Sequence, residues 1–332
     1  MLKKIVILCV LSAFLSSCGG GGGDTKPTVA FVTNGVAAFW NIADKGCKAA
    51  AKDFNVNVDV QMPTNGVGDQ KSMIQNLITR GVAGIAISPI DPANQTEILD
   101  EAAAKTKLIT HDSDAPNSKR LCYIGMDNYA AGRMCGQLCK EALPEGGKLV
   151  IFVGRIEQLN AKQRRQGFID ELLDRSNDPT RYDAPGQELK NAKYTILDTR
   201  TDQLDSGKAL SQAQDAIAKY PDLACMVGLF AYNPPQCLSA IKDAGKSGKI
   251  KVVGFDEDAA TLQGIADGSV YGTVVQNPYM YGYESVRILA ALAKGDTSVL
   301  PKQGVLIDIP ARKIIKSNVE AFQAELKKLT GN

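Results

Sequence analysis

Several polar residues stand directly after short apolar runs, where a β-strand would deliver them to the end of a sheet. They are Asp112 after LIT-His111, Asp127 after YIGM, Asn233 after GLFAY, Asp256 after VVGF and Gln276 after GTVV. Carboxylates and amides can meet several hydroxyls of a ligand at once, and charged partners make the stronger hydrogen bonds. The same residue types also cap helix N-termini. Helical patterns begin immediately after Asp127, and after Asp91, so these two are expected to be caps. The residues after Asp112, Asp256 and Gln276 are not clean helix starts, which favours a ligand role for those three. Phe39-Trp40 includes the sole tryptophan and follows the first apolar run. Such a pair can offer a flat apolar face, although a lone tryptophan serves as readily in packing.

Other chemistries find little support. A single histidine, His111, excludes a multi-histidine metal site. Side chains alternate across a strand, so His111 should face away from Asp112. There is no CxxC pair, zinc spacing, nucleophile elbow, Walker loop, HExxH or GxGxxG after the first strand. A net charge of +2, with 44% hydrophobic and 22% charged residues, excludes a disordered chain and a strongly basic nucleic-acid binder. No enzymatic activity, metal or cofactor is expected.

The elements that must position these residues alternate. Strand-like runs at 28–33, 57–62, 82–88, 107–112 and 121–127 are separated by helical patterns at 39–54, 69–80 and 93–105, with another at 128–143. A second series has strands at 148–154, 193–199, 224–230, 251–256, 271–276 and 305–309. Its helices are expected at 161–173, 206–219, 235–244, 258–266, 279–293 and 318–329. Such alternation means parallel sheets covered on both faces. The strand count exceeds that of a single (β/α) barrel. The fold class is therefore α/β, with two doubly wound parallel-sheet lobes. Ligands of such sheets bind beyond the carboxyl ends of the strands, where the polar residues above stand.

The first 27 residues read as something other than fold. Residues 1–17 combine Lys3 and Lys4 with an apolar stretch from Ile5 to Leu15, the pattern of a signal peptide. The segment ends Leu15-Ser16-Ser17-Cys18, which resembles a bacterial lipobox, so Cys18 is expected to carry the lipid. Five glycines, Gly19 to Gly23, then make residues 18–27 a tether. Loss of residues 1–17 removes two lysines and no acids, leaving a neutral chain. Six cysteines remain beyond Cys18. An oxidising compartment allows disulfides among them, in any of about 15 pairings. The preferred reading is buried free thiols.

Eight motifs in order resemble the periplasmic sugar-binding proteins of the ribose and galactose type. They are Phe39-Trp40, SPIDPA (88–93), HDSDAP (111–116), GMDNYAAG (125–132), KQRRQGF (162–168), YNPPQCLSAIKDAG (232–245), VVGFDEDA (252–259) and GTVVQNP (272–278). The resemblance covers nearly all of residues 28–316. It implies two lobes, 28–126 plus 277–306 and 127–276 plus 307–332, joined by three hinge crossings near 126–128, 276–278 and 305–309. It implies an aromatic wall at Phe39 and Trp40, sugar-gripping carboxylates at Asp112 and Asp256, and a bridging guanidinium at Arg164. It places ligand amides at Asn233 and Gln276, and Asn160 where some relatives have a ligand-contacting acid. Arg165 would then be solvated. Family members often carry a second aromatic wall where this chain has Arg200-Thr201-Asp202, and NGVAA lacks a polar residue that some relatives place before the aromatic pair. One side of the pocket is therefore expected to be more polar.

The function implied is binding of a neutral monosaccharide or close polyol outside the cytoplasm and delivery to the membrane subunits of an ABC permease. The protein would be a periplasmic or cell-surface lipoprotein and a monomer. The alternative is a sensor for a sugar-like signal such as autoinducer-2. A repressor of similar fold would need an N-terminal helix-turn-helix, where this chain has its signal segment.

Overall fold

The computed structural model describes residues 26–331, so the signal segment, Cys18 and the glycine run lie outside the described residues. The chain opens with β1 (Thr28–Val32), α1 (Ala38–Asp53), β2 (Asn57–Gln61), α2 (Gly66–Thr79), β3 (Gly84–Ile87), α3 (Pro92–Lys105), β4 (Lys107–His111) and β5 (Tyr123–Gly125). These strands are parallel neighbours, and β1, β3 and β4 are almost wholly buried because helices cover both faces. Helix starts carry local signals. Asp91 accepts from Asn94 N and Pro92 fills the first helical position.

After β5 the chain crosses at Met126–Asn128 and builds a second lobe. In order come α4 (Asn128–Ala142), β6 (Gly147–Val153), α5 (Leu159–Leu172), β7 (Leu189–Lys190), β8 (Tyr194–Thr201), α6 (Ser206–Lys219), β9 (Leu223–Gly228), α7 (Asn233–Asp243), β10 (Lys251–Phe255), α8 (Ala259–Asp267) and β11 (Gly272–Val275). A second crossing at Gln276–Pro278 leads to α9 (Pro278–Ala293), which packs on α1 in the first lobe, and to β12 (Leu306–Asp308). The chain then returns to the second lobe for β13 (Arg312–Ile315) and α10 (Val319–Thr330).

The first sheet has the order β12-β5-β4-β3-β1-β2 and the second β13-β11-β10-β9-β6-β8-β7. Because β12 pairs with β5 through Asp308, the third crossing falls between Asp308 and Arg312. The first lobe thus reaches beyond residue 306, the limit expected from sequence. Two strands escaped the sequence reading, β7 and β13, and both are short antiparallel edge additions without a buried apolar run.

In each lobe two helices touch backbone to backbone. A Cβ on Gly46 of α1 would lie 1.9 Å from Tyr279 O of α9, and one on Gly282 of α9 would lie 2.1 Å from Ala43 O. In the second lobe a Cβ on Gly167 of α5 would lie 2.0 Å from Tyr129 O of α4, and one on Gly132 would lie 2.0 Å from Arg164 O. Only glycine permits these approaches, and they set where the first turns of α1 and α5 point. The six cysteines among the described residues, Cys47, Cys122, Cys135, Cys139, Cys225 and Cys237, are buried free thiols. Burial pushes the Cys122 thiol up to about 12, which keeps it protonated and unreactive.

Candidate functional site

A cleft of about 560 Å³ runs between the lobes, within the range of small-ligand pockets. Phe39, Trp40, Asp112, Asn160, Arg164, Asp256 and Gln276 all line it.

Asp112 follows β4. Its N–H donates to Ile124 O at 3.0 Å, and its φ of 58° places it in the left-handed region, which is uncommon outside glycine. Its Oδ2 accepts from Ser88 Oγ at 2.8 Å, Asn34 Nδ2 at 3.3 Å and Asn160 Nδ2 at 3.2 Å. Asn160 belongs to α5, so this bond joins the two lobes. Asp112 is 4% exposed. Burial pushes its carboxyl up to about 6, against the pull of the Arg164 charge and of the hydrogen bond from Ser88.

Asp256 repeats the device after β10. Its N–H donates to Val274 O at 2.7 Å and its φ is 67°. Oδ1 accepts from Gln276 Nε2 at 2.9 Å, and Gln276 Oε1 in turn accepts from Tyr281 Oη at 3.2 Å. Burial raises the Asp256 carboxyl and the Arg164 charge opposes it. Among the described residues no hydrogen bond reaches Asp112 Oδ1 or Asp256 Oδ2, so each acid keeps one oxygen for a ligand.

Arg164 is 2% exposed and stands between the two carboxylates in charge terms. Nη1 donates to Leu229 O at 2.8 Å and Nη2 to Asn128 Oδ1 at 3.0 Å, while the guanidinium lies 4.3 Å from the Phe255 ring centre. These contacts hold a planar fork in place and leave one N–H on each Nη uncommitted. Arg165 departs from expectation. It is buried, not solvated, and donates to Thr199 Oγ1 at 2.8 Å and Asp183 O at 2.6 Å, tying down the segment before β7.

Phe39 and Trp40 begin α1 and pack edge to face, with ring centres 4.8 Å apart. Trp40 Nε1 donates to Asn34 Oδ1 at 3.1 Å. His111 faces the other way from Asp112, as the strand alternation requires. It stacks on Phe31 at 3.9 Å with Nε2 3.2 Å from Val32 O, and burial drives it down to about 3, so it is neutral.

Asn233 is the sequence-predicted site residue that the structure keeps out of the cleft lining. It opens α7, its Nδ2 donates to Asp202 Oδ2 at 2.9 Å and its Oδ1 accepts from Phe230 N at 3.2 Å. Its amide is spent on shaping the loop after β9. That loop presents Phe230 and Tyr232 to the cleft, with Tyr232 Oη donating to Asp202 Oδ1. The second aromatic wall therefore exists, carried by Phe230 and Tyr232 and anchored by Asp202. The cleft is less one-sided than the sequence suggested. Asn34 was likewise missed. It supplies the polar group that NGVAA was thought to lack, and joins Trp40 to Asp112. The available signal was position, since Asn34 and Phe230 both stand just beyond buried strands.

Two further contacts join the lobes beside the cleft. Arg155 Nη1 of the second lobe donates to Asn34 O of the first at 3.0 Å, and Leu204 packs against Gly35. No group of three or more His, Cys, Asp or Glu among the described residues could hold a metal ion, and no described helix is long and apolar enough to cross a membrane.

Comparison with known proteins agrees with this geometry. Residues 29–297 match the family model described as Periplasmic binding protein domain. A D-ribose/D-allose-binding protein of Pseudomonas aeruginosa is 25% identical over 323 residues, covering 92% of this chain and 94% of the relative. The ribose import binding protein of Bacillus subtilis is 25% identical over 240 residues, 72% of each chain. A solute-binding protein from Burkholderia graminis, crystallised with D-arabinose, is 27% identical, with a TM-score of 0.78 and coverage of 89% of this chain and 97% of that one.

Proposed function

We infer the cargo of the cleft from one premise: the chain belongs to the periplasmic binding protein domain family. It is a solute-binding protein rather than an enzyme, with the two-lobed fold of that family, and the family works outside the cytoplasm. The cargo is a monosaccharide, which the protein carries to the membrane subunits of an ABC permease. The observation that supports this most is the pairing of Asp112 and Asp256. They come from different lobes, share a backbone device and each keep one oxygen unengaged, with Arg164 offering donors beside them. Sugar hydroxyls both donate and accept, so they suit such a mixed set, while Phe39, Trp40, Phe230 and Tyr232 can cover the C–H faces. Neither lobe satisfies every hydroxyl alone, so binding should favour the closed arrangement.

Thermal-shift screening against pentoses, hexoses, polyols, amino acids and phosphate is the decisive experiment. We expect stabilisation by a pentose or hexose. Stabilisation by an amino acid or phosphate with no sugar response would sink the proposal. Attachment to the membrane through Cys18 belongs to the same proposal. Mass spectrometry of the native amino terminus should find an acylated Cys18, and a free terminus elsewhere would contradict it.

A further inference from the structure

Glu257 follows Asp256 directly and borders the cleft, yet its carboxyl is engaged by no other side chain. The residue is 6% exposed, and both carboxylate oxygens are buried with no hydrogen-bond partner. A buried carboxylate without partners is costly while ionised. Its surroundings explain the isolation. Glu257 borders a gap of about 10 Å³ at the hinge, room for no more than about one water. The first lobe closes this gap with Ile42 of α1 and Tyr279 of α9, and the second closes it with Arg312 of β13 and Phe322, Glu325 and Leu326 of α10.

The charged and titratable groups facing Glu257 can be named element by element. Its own loop supplies Asp256 and Asp258, both of which oppose ionisation. From α9 comes Tyr279, and α1 presents only the apolar Ile42. From β13 comes Arg312, the one cation at the gap, and from α10 comes Glu325. Arg312 is already committed, since its two terminal nitrogens donate to Glu325 at 2.8 and 3.0 Å in a bidentate pair. Burial, with the Asp256 charge beside it, pushes the Glu257 carboxyl well above the usual carboxylate range.

Glu257, Arg312 and α10 travel with the second lobe, whereas Ile42 and Tyr279 travel with the first. Any opening of the cleft about the crossings lifts Ile42 and Tyr279 away and admits water to the carboxyl. We propose that Glu257 is a proton-released brake on closure: shutting the cleft seals its carboxyl between the lobes, so the closed form takes up a proton there, and ligand affinity is set partly by the protonation of that carboxyl. This rests on the reading of the cleft as a solute site, and it adds a coupling between closure and pH. The sign follows from linkage. In the open form Glu257 would be a hydrated carboxylate with an ordinary affinity for the proton. In the closed form its affinity for the proton is raised. The closed form is therefore favoured in acid and loses ground as pH rises between the open-form and closed-form values, by at most about tenfold per pH unit for one proton. Glu257 acts here as a positioning residue, through the hinge.

Small-angle scattering of the ligand-free chain tests this without any sugar. The wild type should have a smaller radius of gyration at about pH 5 than at about pH 8, whereas Glu257→Gln should change less between them, because a neutral amide removes this proton step and leaves only those of Asp112 and Asp256. Glu325→Gln, an exposed change that frees Arg312 to turn toward Glu257, should weaken the pH dependence too and covers the case in which Glu257→Gln folds poorly. Isothermal calorimetry with D-ribose in two buffers of different ionisation enthalpy, at about pH 7.5, adds the binding arm. Wild type should take up more protons on binding than Glu257→Gln, which should bind several-fold more tightly. Identical scattering profiles for wild type and both variants, or a wild-type radius that ignores pH, overturn the brake. If D-ribose and the other sugars of the screen give no heat, the sugar reading fails while the scattering arm still decides the role of Glu257.

Discussion

The two lobes present the same scaffold with different surfaces. Asp112 and Asp256 both end a parallel strand with a positive φ and an N–H bonded to the next strand. Asp127 and Asn277 both cap the helix that crosses to the other lobe, accepting from Ala130 N at 2.9 Å and Met280 N at 3.1 Å. The glycine contacts give the register of the facing helices. Gly46 meets Tyr279 O as Gly167 meets Tyr129 O, and Gly282 meets Ala43 O as Gly132 meets Arg164 O. Counting back from Gly46 and Gly167, Phe39 matches Asn160, Trp40 matches Ala161 and Ala43 matches Arg164. At equivalent places α1 therefore carries the aromatic plane and α5 carries the amide and the guanidinium. One backbone plan thus supplies an apolar wall and a polar wall, and what differs is side-chain chemistry over two turns of helix.

The carboxylates differ too, which gives the largest expected effect. Asp112 Oδ2 gathers three donors, one of them from the opposite lobe, whereas Asp256 Oδ1 holds only Gln276 Nε2. Loss of a hydrogen bond from ligand to a charged group costs about 1.5–3 kcal/mol, or about 10- to 150-fold in Kd. Asp256→Ala should show that loss. Asp112→Ala should lose more, because it also releases Asn34 from its acid partner and removes the Asn160 bridge between lobes. Titration calorimetry with the sugar that responds in the thermal screen measures both. Equal losses would mean that the asymmetry of partners has no energetic consequence.

How far the sequence reached follows the same division. Buried parallel strands and their helices are written in long apolar runs, so the two sheets, the capping roles of Asp91 and Asp127, and the placing of Asp112, Asp256 and Gln276 at strand ends could be read directly. Placing Arg164 and Asn160 in the cleft needed the family resemblance, because α5 is buried on nearly all sides and its periodicity does not mark one face. What could not be read was partnership across the chain. Asn233 looked free because its partner Asp202 stands 31 residues away, and Asn34 looked idle because its link to Asp112 spans 78. Nothing in the sequence singled out Glu257, whose burial at the hinge comes from residues of both lobes. The edge strand β13 lacks the apolar run that marked the central strands.

A second effect probes the first-lobe carboxylate without ligand. The folded chain holds the Asp112 carboxyl near about 6, above its usual 3.8. Between those values the folded state binds a proton that the unfolded state has released, so this group favours the fold most below the lower value. Its contribution falls as pH rises through the window, by about 3 kcal/mol in order of magnitude at 1.36 kcal/mol per pH unit. Asp112→Asn removes that fall. Urea midpoints measured across the window should drop less steeply for the variant than for the wild type. Parallel curves would show that Asp112 is ionised in the fold throughout, with its three donors outweighing burial.

The smallest effect separates a cap from a contact. Asp127 and Asp112 both close strand-like runs, but only Asp112 was expected to meet the ligand. Asp127 Oδ1 instead accepts from Ala130 N, satisfying one of the orphan amides in the first turn of α4, and its negative charge suits the helix N-terminus. Asp127 is absent from the cleft lining, whereas its neighbour Asn128 reaches Arg164 Nη2 at 3.0 Å. Asp127→Ala should cost about 1 kcal/mol of stability, the usual worth of such a cap. Affinity should stay within about twofold, because the turn that positions Asn128 is also held by Gly132 against α5. Denaturation and titration of the same sample read both quantities. A loss of affinity larger than the loss of stability would place Asp127 in the binding network through Asn128, and the crossing would then be part of the site.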